Sequence, residues 1–219
     1  MSTQVTSYYE LVSQLPADTV ITFHGVSWEE YEELLHQVGE ASWLRISYDS
    51  GALTVMTVSS EHERYTRFFE SLITVLRLRQ SINVMSFGSA TMRKRNKSKG
   101  NEPDACFYVQ TAAVLGNRMH IDFAVDPPPD IVVEIDVHHD SLSKLNIYAG
   151  LEVPEVWRYD GEQLTILHLE GDRYVAEEGS RALPILTGRL LTEFLTRLRE
   201  EGESPAILAF DAWLSSHAS

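Results

Sequence analysis

Three consecutive prolines, Pro127 to Pro129, stop the chain just before the run DIVVEIDV, which alternates between apolar and acidic side chains. Proline fixes its own φ and has no amide proton to donate, so a regular element has to start after it. Period two is the pattern of a β-strand. Ile131, Val133, Ile135 and Val137 fall on one face; Asp130, Val132, Glu134, Asp136 and His138 fall on the other. Glu134 and Asp136 are then neighbours roughly 7 Å apart, close enough to repel unless water or a cation screens them. A solvated polar strand face accounts for this pattern alone. A metal site accounts for it if acids from elsewhere converge on the same face.

The remaining pattern predicts helix, hairpin, helix, several strands, a short helix, more strands and closing helices. This is an α/β arrangement bordering on α+β, built on one central mixed sheet. Ser27 and Glu30 form a capping-box pattern opening the helix SWEEYEELLHQVG. WLRISYDSGALTVMTV alternates on both sides of Asp49-Ser50-Gly51, as a hairpin does. The strongest helix starts at SSEHERYTRFFESLITVLRLRQ, with Ser60 and Glu63 as a capping box and Tyr65, Phe68, Phe69, Leu72 and Leu76 as the buried stripe. Glu61 precedes Tyr65 by four residues and Phe68 by seven, which aims it from the inward stripe; Glu63 aligns with Arg67 and Glu70 on the polar side. INVMSFGSATMRKR and EPDACFYV read as strands around a basic tip, and SLSKLNIYAGL as a short helix capped by Asp140 or Ser141. EVWRYDG and QLTILHLEGDRYVAEE are further strands, and two amphipathic helices end the chain. The expectation is one domain over residues 1–219, with a core at about 25–170 and a helical extension at about 185–219.

Apolar residues make up 43% of the 219, enough for a proper core. Cys106 is the single cysteine, no apolar run is long enough to span a bilayer, and the N-terminus MSTQVTSYYE lacks signal-peptide character. A cytoplasmic location follows as the expectation. The net charge of −14 argues against a polyanionic partner, but residues 61 to 100 hold nine of the 18 Lys and Arg against three acids. Arg93, Lys94, Arg95, Lys97 and Lys99 are therefore candidate nucleic-acid contacts, although a solvated hairpin tip explains them equally well. Leu190, Leu191, Phe194, Leu195 and Trp213 in the last helices predict a homodimer.

Four acids carry the chemistry: Glu61, Asp104 just after Pro103, Glu134 and Asp136. Carboxylate oxygens are what Mg²⁺ or Mn²⁺ takes, usually one or two of them with water and substrate phosphate. Lys144, ten residues after Glu134, is the ammonium that would shield a phosphoryl transition state. His62, His138 and His139 lack the spacing of a zinc site, and Ser141 and Ser143 lack the base and orienter of a triad. Arg158 is read as structurally paired, and Trp157 and Tyr159 as core or dimer contacts.

Taken together, EPD at 102–104, PDIVVEI at 129–135 and KLNIYAGLEVPEVWRYD at 144–160, behind a helix opening SSEHERY, resemble the Uma family of restriction-endonuclease-like proteins, a branch of the PD-(D/E)XK nuclease superfamily. The resemblance covers roughly residues 25 to 170. It implies a restriction-endonuclease-like mixed sheet flanked by helices, a divalent metal (Mg²⁺ or Mn²⁺) and cleavage of DNA. By position, Asp104 corresponds to the acid of PD and Glu134 to the first acid of (D/E)XK. Glu61 corresponds to the helix glutamate that many of these nucleases add as a ligand or water-orienting base. Asp136 stands where the motif has lysine, so either Lys144 supplies the charge from the following helix or the site is impaired. The alternative function is a nuclease-fold binding or assembly module without catalysis.

Overall fold

The computed structural model describes residues 7–39 and 43–217. Residues 1–6, which carry part of the N-terminal reading, lie outside them. The chain runs α1 (Tyr8–Val12), β1 (Val20–His24), α2 (Trp28–Val38), β2 (Leu44–Asp49), β3 (Ala52–Thr57) and α3 (Ser60–Gln80). It continues through β4 (Met85–Ser86), β5 (Met92–Lys94), β6 (Lys99–Asn101), β7 (Ala105–Tyr108), α4 (Ala112–Leu115) and β8 (Ile131–Ile135). Then come α5 (Leu145–Leu151), β9 (Glu155–Tyr159), β10 (Leu164–Glu170), β11 (Arg173–Glu177), α6 (Gly188–Glu200) and α7 (Glu203–His217).

Where the sequence predicts one central sheet, the strands divide into two. One has the order β1-β3-β2-β6-β5, the other β11-β10-β9-β8-β7-β4. The division falls at Glu102-Pro103-Asp104, where the chain leaves β6 in the first sheet and enters β7 in the second. Proline suits that crossing because a residue between sheets has no ladder partner for an amide proton. Strands β8 and β9 pair in parallel, with Ile131 opposite Glu155 and Glu134 opposite Arg158. Helix α5 makes the crossover that a parallel pair requires.

Strand β8 is central and buried along its whole length. Ile131, Val133 and Ile135 pack with α3, α6 and α7, while Val132 faces α5 with Ile147, Tyr148 and Leu151. The alternation is therefore real, but the solvated face is not: Glu134 is 1% exposed and Asp136 8%. α1 and α2 cover β2 and β3 through Val12, Tyr31, Leu34, Ile46 and Val55. The hairpin at Asp49-Ser50-Gly51 forms as predicted, with positive φ at Ser50 and Gly51. The segment QLTILHLEGDRYVAEE turns at Gly171 into two antiparallel strands, β10 and β11.

The apolar residues behind the dimer expectation are used within the chain. Leu191, Phe194 and Leu195 are buried in the core shared with α3 and β8, and Leu190 and Trp213 pack partly buried against it. Trp157 and Tyr159 are fully buried core residues. Among the described residues, no helix is long and apolar enough to cross a membrane.

Candidate active site

Asp104 lies at the point where the chain changes sheets, and both of its carboxylate oxygens are engaged. Its amide donates to the Val133 carbonyl at 3.1 Å, and the Ile135 amide donates to Oδ2 at 2.7 Å, so the carboxylate is tied to β8 by backbone. Arg45 of β2, itself buried, donates Nε to Oδ1 at 3.1 Å. His62 Nε2 lies 3.0 Å from Oδ2, without the alignment of a hydrogen bond. Burial alone would raise the pKa of Asp104, but His62, Lys144 and Arg45 outweigh it and hold the carboxyl below its ordinary range.

Glu134 occupies the α5 side of β8. Its Oε2 accepts from Lys144 Nζ at 2.7 Å, and its Oε1 from the Tyr148 hydroxyl and from Asn101 Nδ2 at 3.3 Å. Asn101 also donates to the Tyr148 hydroxyl at 2.5 Å. Lys144 ends a 3₁₀ turn, Leu142–Lys144, that leads into α5, and Tyr148 is one helical turn further on. The i, i+4 spacing places both side chains over the same carboxylate. Burial, and then Asp104's charge, push Glu134 above the ordinary carboxylate range despite Lys144. Burial opposes the Lys144 charge, but Glu134 and Asp104 outweigh that and keep it protonated.

The other two predicted acids are placed differently. Asp136 accepts from the Ser141 amide at 2.9 Å and hydroxyl at 2.8 Å, and pairs with Arg158, which also reaches Asp140 at 3.4 Å. It fixes the turn before Lys144, and Arg158 is paired structurally as the sequence predicts. Glu61 does not point inward. Its side chain is 52% exposed and bonds His138 at 3.2 Å. The helix cap is Ser59, whose hydroxyl accepts from the His62 amide at 3.3 Å, one residue before the predicted Ser60. The buried stripe runs Phe69, Thr66, Tyr65, His62, and Glu61 is rotated about 100° out of it. Glu63 pairs with Arg67 at 2.8 Å and approaches Arg45 at 3.9 Å, so it closes no capping box.

Sequence reasoning therefore missed four residues that hold the acids: Arg45, His62, Asn101 and Tyr148. His62 and Tyr148 were legible, since His62 precedes Phe69 by seven residues and Tyr148 follows Lys144 by four. Arg45 and Asn101 were not, because an arginine alternating with Ser47 and Asp49 reads as a solvent face.

The basic tip is largely paired with the protein's own acids. Lys94 meets Glu152 at 2.9 Å, Lys99 meets Asp49 at 2.7 Å, and Arg95 meets Glu29 and, at 3.4 Å, Glu32. The Lys99 stem crosses Gly150 of α5 so closely that a Cβ there would fall 2.4 Å from its Cδ. Arg93 and Lys97 have no ion-pair partner among the described residues.

A cavity of about 230 Å³ opens onto Glu134 and Lys144 from between the two sheets. Asp104 lies behind it, with a side chain of zero exposure. A larger cavity, about 750 Å³ between β10 and α6, contains none of these groups. Among the described residues no three His, Cys, Asp or Glu side chains gather as a metal centre. Magnesium does not need three, since one or two carboxylates with water and substrate oxygens complete its shell. Asp104 and Glu134 are hard-oxygen donors near enough that Asp104's charge raises Glu134, and a cation between them would relieve that repulsion. The two residues fit a divalent ion.

A mixed sheet with two buried acids, one just before β7 and one on β8, and a lysine in the turn that leads into the crossover helix, is the core of a restriction-endonuclease-like fold. Residues 28–198 match the Uma2 family, described as "Putative restriction endonuclease", and the chain belongs to that family. Its fold is shared with the crystal structure of a "putative nuclease belonging to DUF820" from Anabaena variabilis ATCC 29413. The two are 14% identical with a TM-score of 0.50, over 74% of this chain and 97% of that one. No curated protein matches the chain.

Proposed function

We propose that this protein hydrolyses DNA phosphodiesters with Mg²⁺ or Mn²⁺, using Asp104 and Glu134 to hold the ion and Lys144 as the cationic group at the reacting phosphate. The observation that carries the reading is Lys144 Nζ at 2.7 Å from Glu134, beside Asp104. An ammonium reaching the acid pair from the turn before α5 supplies the charge that Asp136 cannot. A bound divalent ion lowers the pKa of its water and offsets charge on the phosphoryl oxygens. The protein's part is placement. The Ile135 amide and Arg45 fix the Asp104 carboxylate, and Asn101 and Tyr148 fix that of Glu134. Lys144, 14% exposed and facing the cavity, donates to phosphoryl oxygens as negative charge builds there. Asp136 and Glu61 fall outside the ion's donors in this reading, the first held by Arg158 and Ser141 and the second by His138.

The test is purified full-length protein with plasmid and short DNA in Mg²⁺ or Mn²⁺. Cleavage that disappears in both Asp104→Ala and Glu134→Ala supports the reading; no cleavage, or cleavage unchanged by either substitution, refutes it. One observation favours the second reading, a non-catalytic binding module: both Asp104 oxygens already have partners in Arg45, His62 and Ile135. Calorimetric titration with Mn²⁺ separates the two, since the module would take up no metal that depends on Glu134.

A further inference from the structure

We propose that the protein carries a second ligand site, a pocket on the far face of the first sheet that binds a free nucleoside monophosphate, with Arg93 on the phosphate and Trp28 and Phe123 against the base. The site is separate from the catalytic cavity and does not depend on the nuclease reading.

The strand register puts the two sites on opposite faces. Asn101, which reaches Glu134, is paired with Ser47 and Met92, whereas Gly100 is paired with Tyr48 and Arg93. Residues paired across a sheet share a face, and successive residues on one strand alternate. The Gly100 face is the one that α2 covers, since a Cβ at Gly100 would fall 2.2 Å from the Tyr31 hydroxyl. Arg93 therefore lies on the α2 side, away from Glu134. A cavity of about 470 Å³ opens there, between Trp28 and Glu32 of α2, Arg93 and Arg95, and the loop segment 121–124 that carries Asp122 and Phe123.

The charges select the ligand. Arg95 is engaged by Glu29 and, at 3.4 Å, by Glu32, whereas Arg93 is exposed and has no ion-pair partner among the described residues. A guanidinium with its fork unoccupied is a phosphate donor. Glu32 and Asp122 on the same walls balance the two arginines, so the pocket suits one phosphate and repels a chain of them. Its volume falls within the roughly 300–1,000 Å³ of small-molecule sites and is far more than a bare phosphate fills. The remaining wall is aromatic. Trp28 is fixed by ring contacts at 5.1 Å to Tyr31 and 5.4 Å to Tyr48, and Phe123 stands on the loop. Aromatic faces accept any base, because every base has a π-face. Trp28 is 8% exposed, yet its indole N–H has no acceptor among the described residues. Buried donors are nearly always paired, and a ligand oxygen in this pocket would serve that one. The Thr91 hydroxyl, also on the wall, is committed to Glu102 at 2.6 Å and adds nothing.

The experiment is calorimetric titration of the full chain, without divalent metal, with AMP, inorganic phosphate, adenosine and ATP, alongside tryptophan fluorescence. AMP should bind at least about tenfold more tightly than phosphate or adenosine alone, ATP no more tightly than AMP, and AMP should quench the emission. Arg93→Ala, an exposed position, should weaken AMP by roughly ten- to a hundredfold, the scale of a hydrogen bond to a charged group. Phe123→Leu should weaken it by about fivefold or more through lost stacking. Glu134→Gln should bind AMP as the wild type does. No binding of AMP, phosphate binding as tightly as AMP, or affinity unchanged in Arg93→Ala would overturn the proposal. Loss of AMP binding in Glu134→Gln would place the ligand in the catalytic cavity and overturn it as well. Blunt duplex DNA should leave the fluorescence unquenched, since its paired bases cannot reach Trp28; quenching equal to that by AMP would assign the pocket to DNA and overturn the free nucleotide.

Discussion

The Lys144–Glu134 pair makes a quantitative claim about stability as well as chemistry. Lys144→Met keeps most of the side-chain volume and deletes the charge, leaving a carboxylate of 2% exposure without its cation. Breaking a buried pair from one side costs about 3–5 kcal/mol when the remaining charge stays ionised. Glu134 retains Tyr148 and Asn101 as donors and can take up a proton, so the lower end, about 3 kcal/mol at pH 7, is expected. The sign of the pH dependence follows from the direction of the shift. Burial raises Glu134 in the folded state, and Lys144 is what counters that rise, so the substitution raises it further. A carboxyl raised on folding is a stability deficit that grows as pH rises above its unfolded value and is absent below it. The difference between wild type and Lys144→Met should therefore shrink on acidification, by at most about 1.4 kcal/mol per pH unit between the two proteins' Glu134 midpoints. Urea unfolding at intervals from pH 5 to 8 measures this, and Lys144→Met combined with Glu134→Gln should be milder than the single substitution. A penalty under about 1 kcal/mol at pH 7, or one independent of pH together with a double variant no better than the single, would refute a buried, charged pair.

Tyr148→Phe removes a donor that lowers Glu134, so the acid limb of a kcat/KM profile should move up relative to wild type; a limb unmoved in pH would contradict the hydrogen bond to Glu134. His62→Ala and Glu61→Gln should part company in cleavage kinetics. The first, which removes the buried contact on Asp104, lowers kcat, and the second, exposed and bonded to His138, leaves it within about twofold, the scale of a surface substitution. Arg93→Ala and Lys97→Ala should each reduce the salt slope of DNA binding by about one, whereas Arg95→Ala, already engaged by Glu29 and Glu32, should change it less; fluorescence anisotropy against salt concentration reads both. Trp157→Ala, at zero exposure in the core, should cost roughly 3–5 kcal/mol in chemical unfolding, and a cost under 1 kcal/mol would show that the residue is not packed as described.

What the sequence determined by itself is what periodicity and proline chemistry control. The strand after Pro129, its register of Ile131, Val133 and Ile135 against Val132 and Glu134, the α3 stripe and the Asp49-Ser50-Gly51 hairpin are local consequences of side-chain direction. Asp104, Glu134 and Lys144 were legible as residue types in an order, and the fold brings them together. The tertiary structure decided the rest, because it depends on which surfaces meet. Alternation on β8 cannot say whether the acidic face sees water, and the pairing of β8 with β7 and β9 under α5 buries it. One residue of helix phase separates Glu61 from His62, about 100° of rotation, and the packing of Tyr65 and Phe69 selects His62. The basic tip reads as free charge until α2 and α5 bring Glu29, Glu32 and Glu152 beside it. Lys144 comes beside Glu134 from the turn that leads into the crossover helix, a spacing of ten residues that only the turn held by Asp136 and Arg158 converts into a contact.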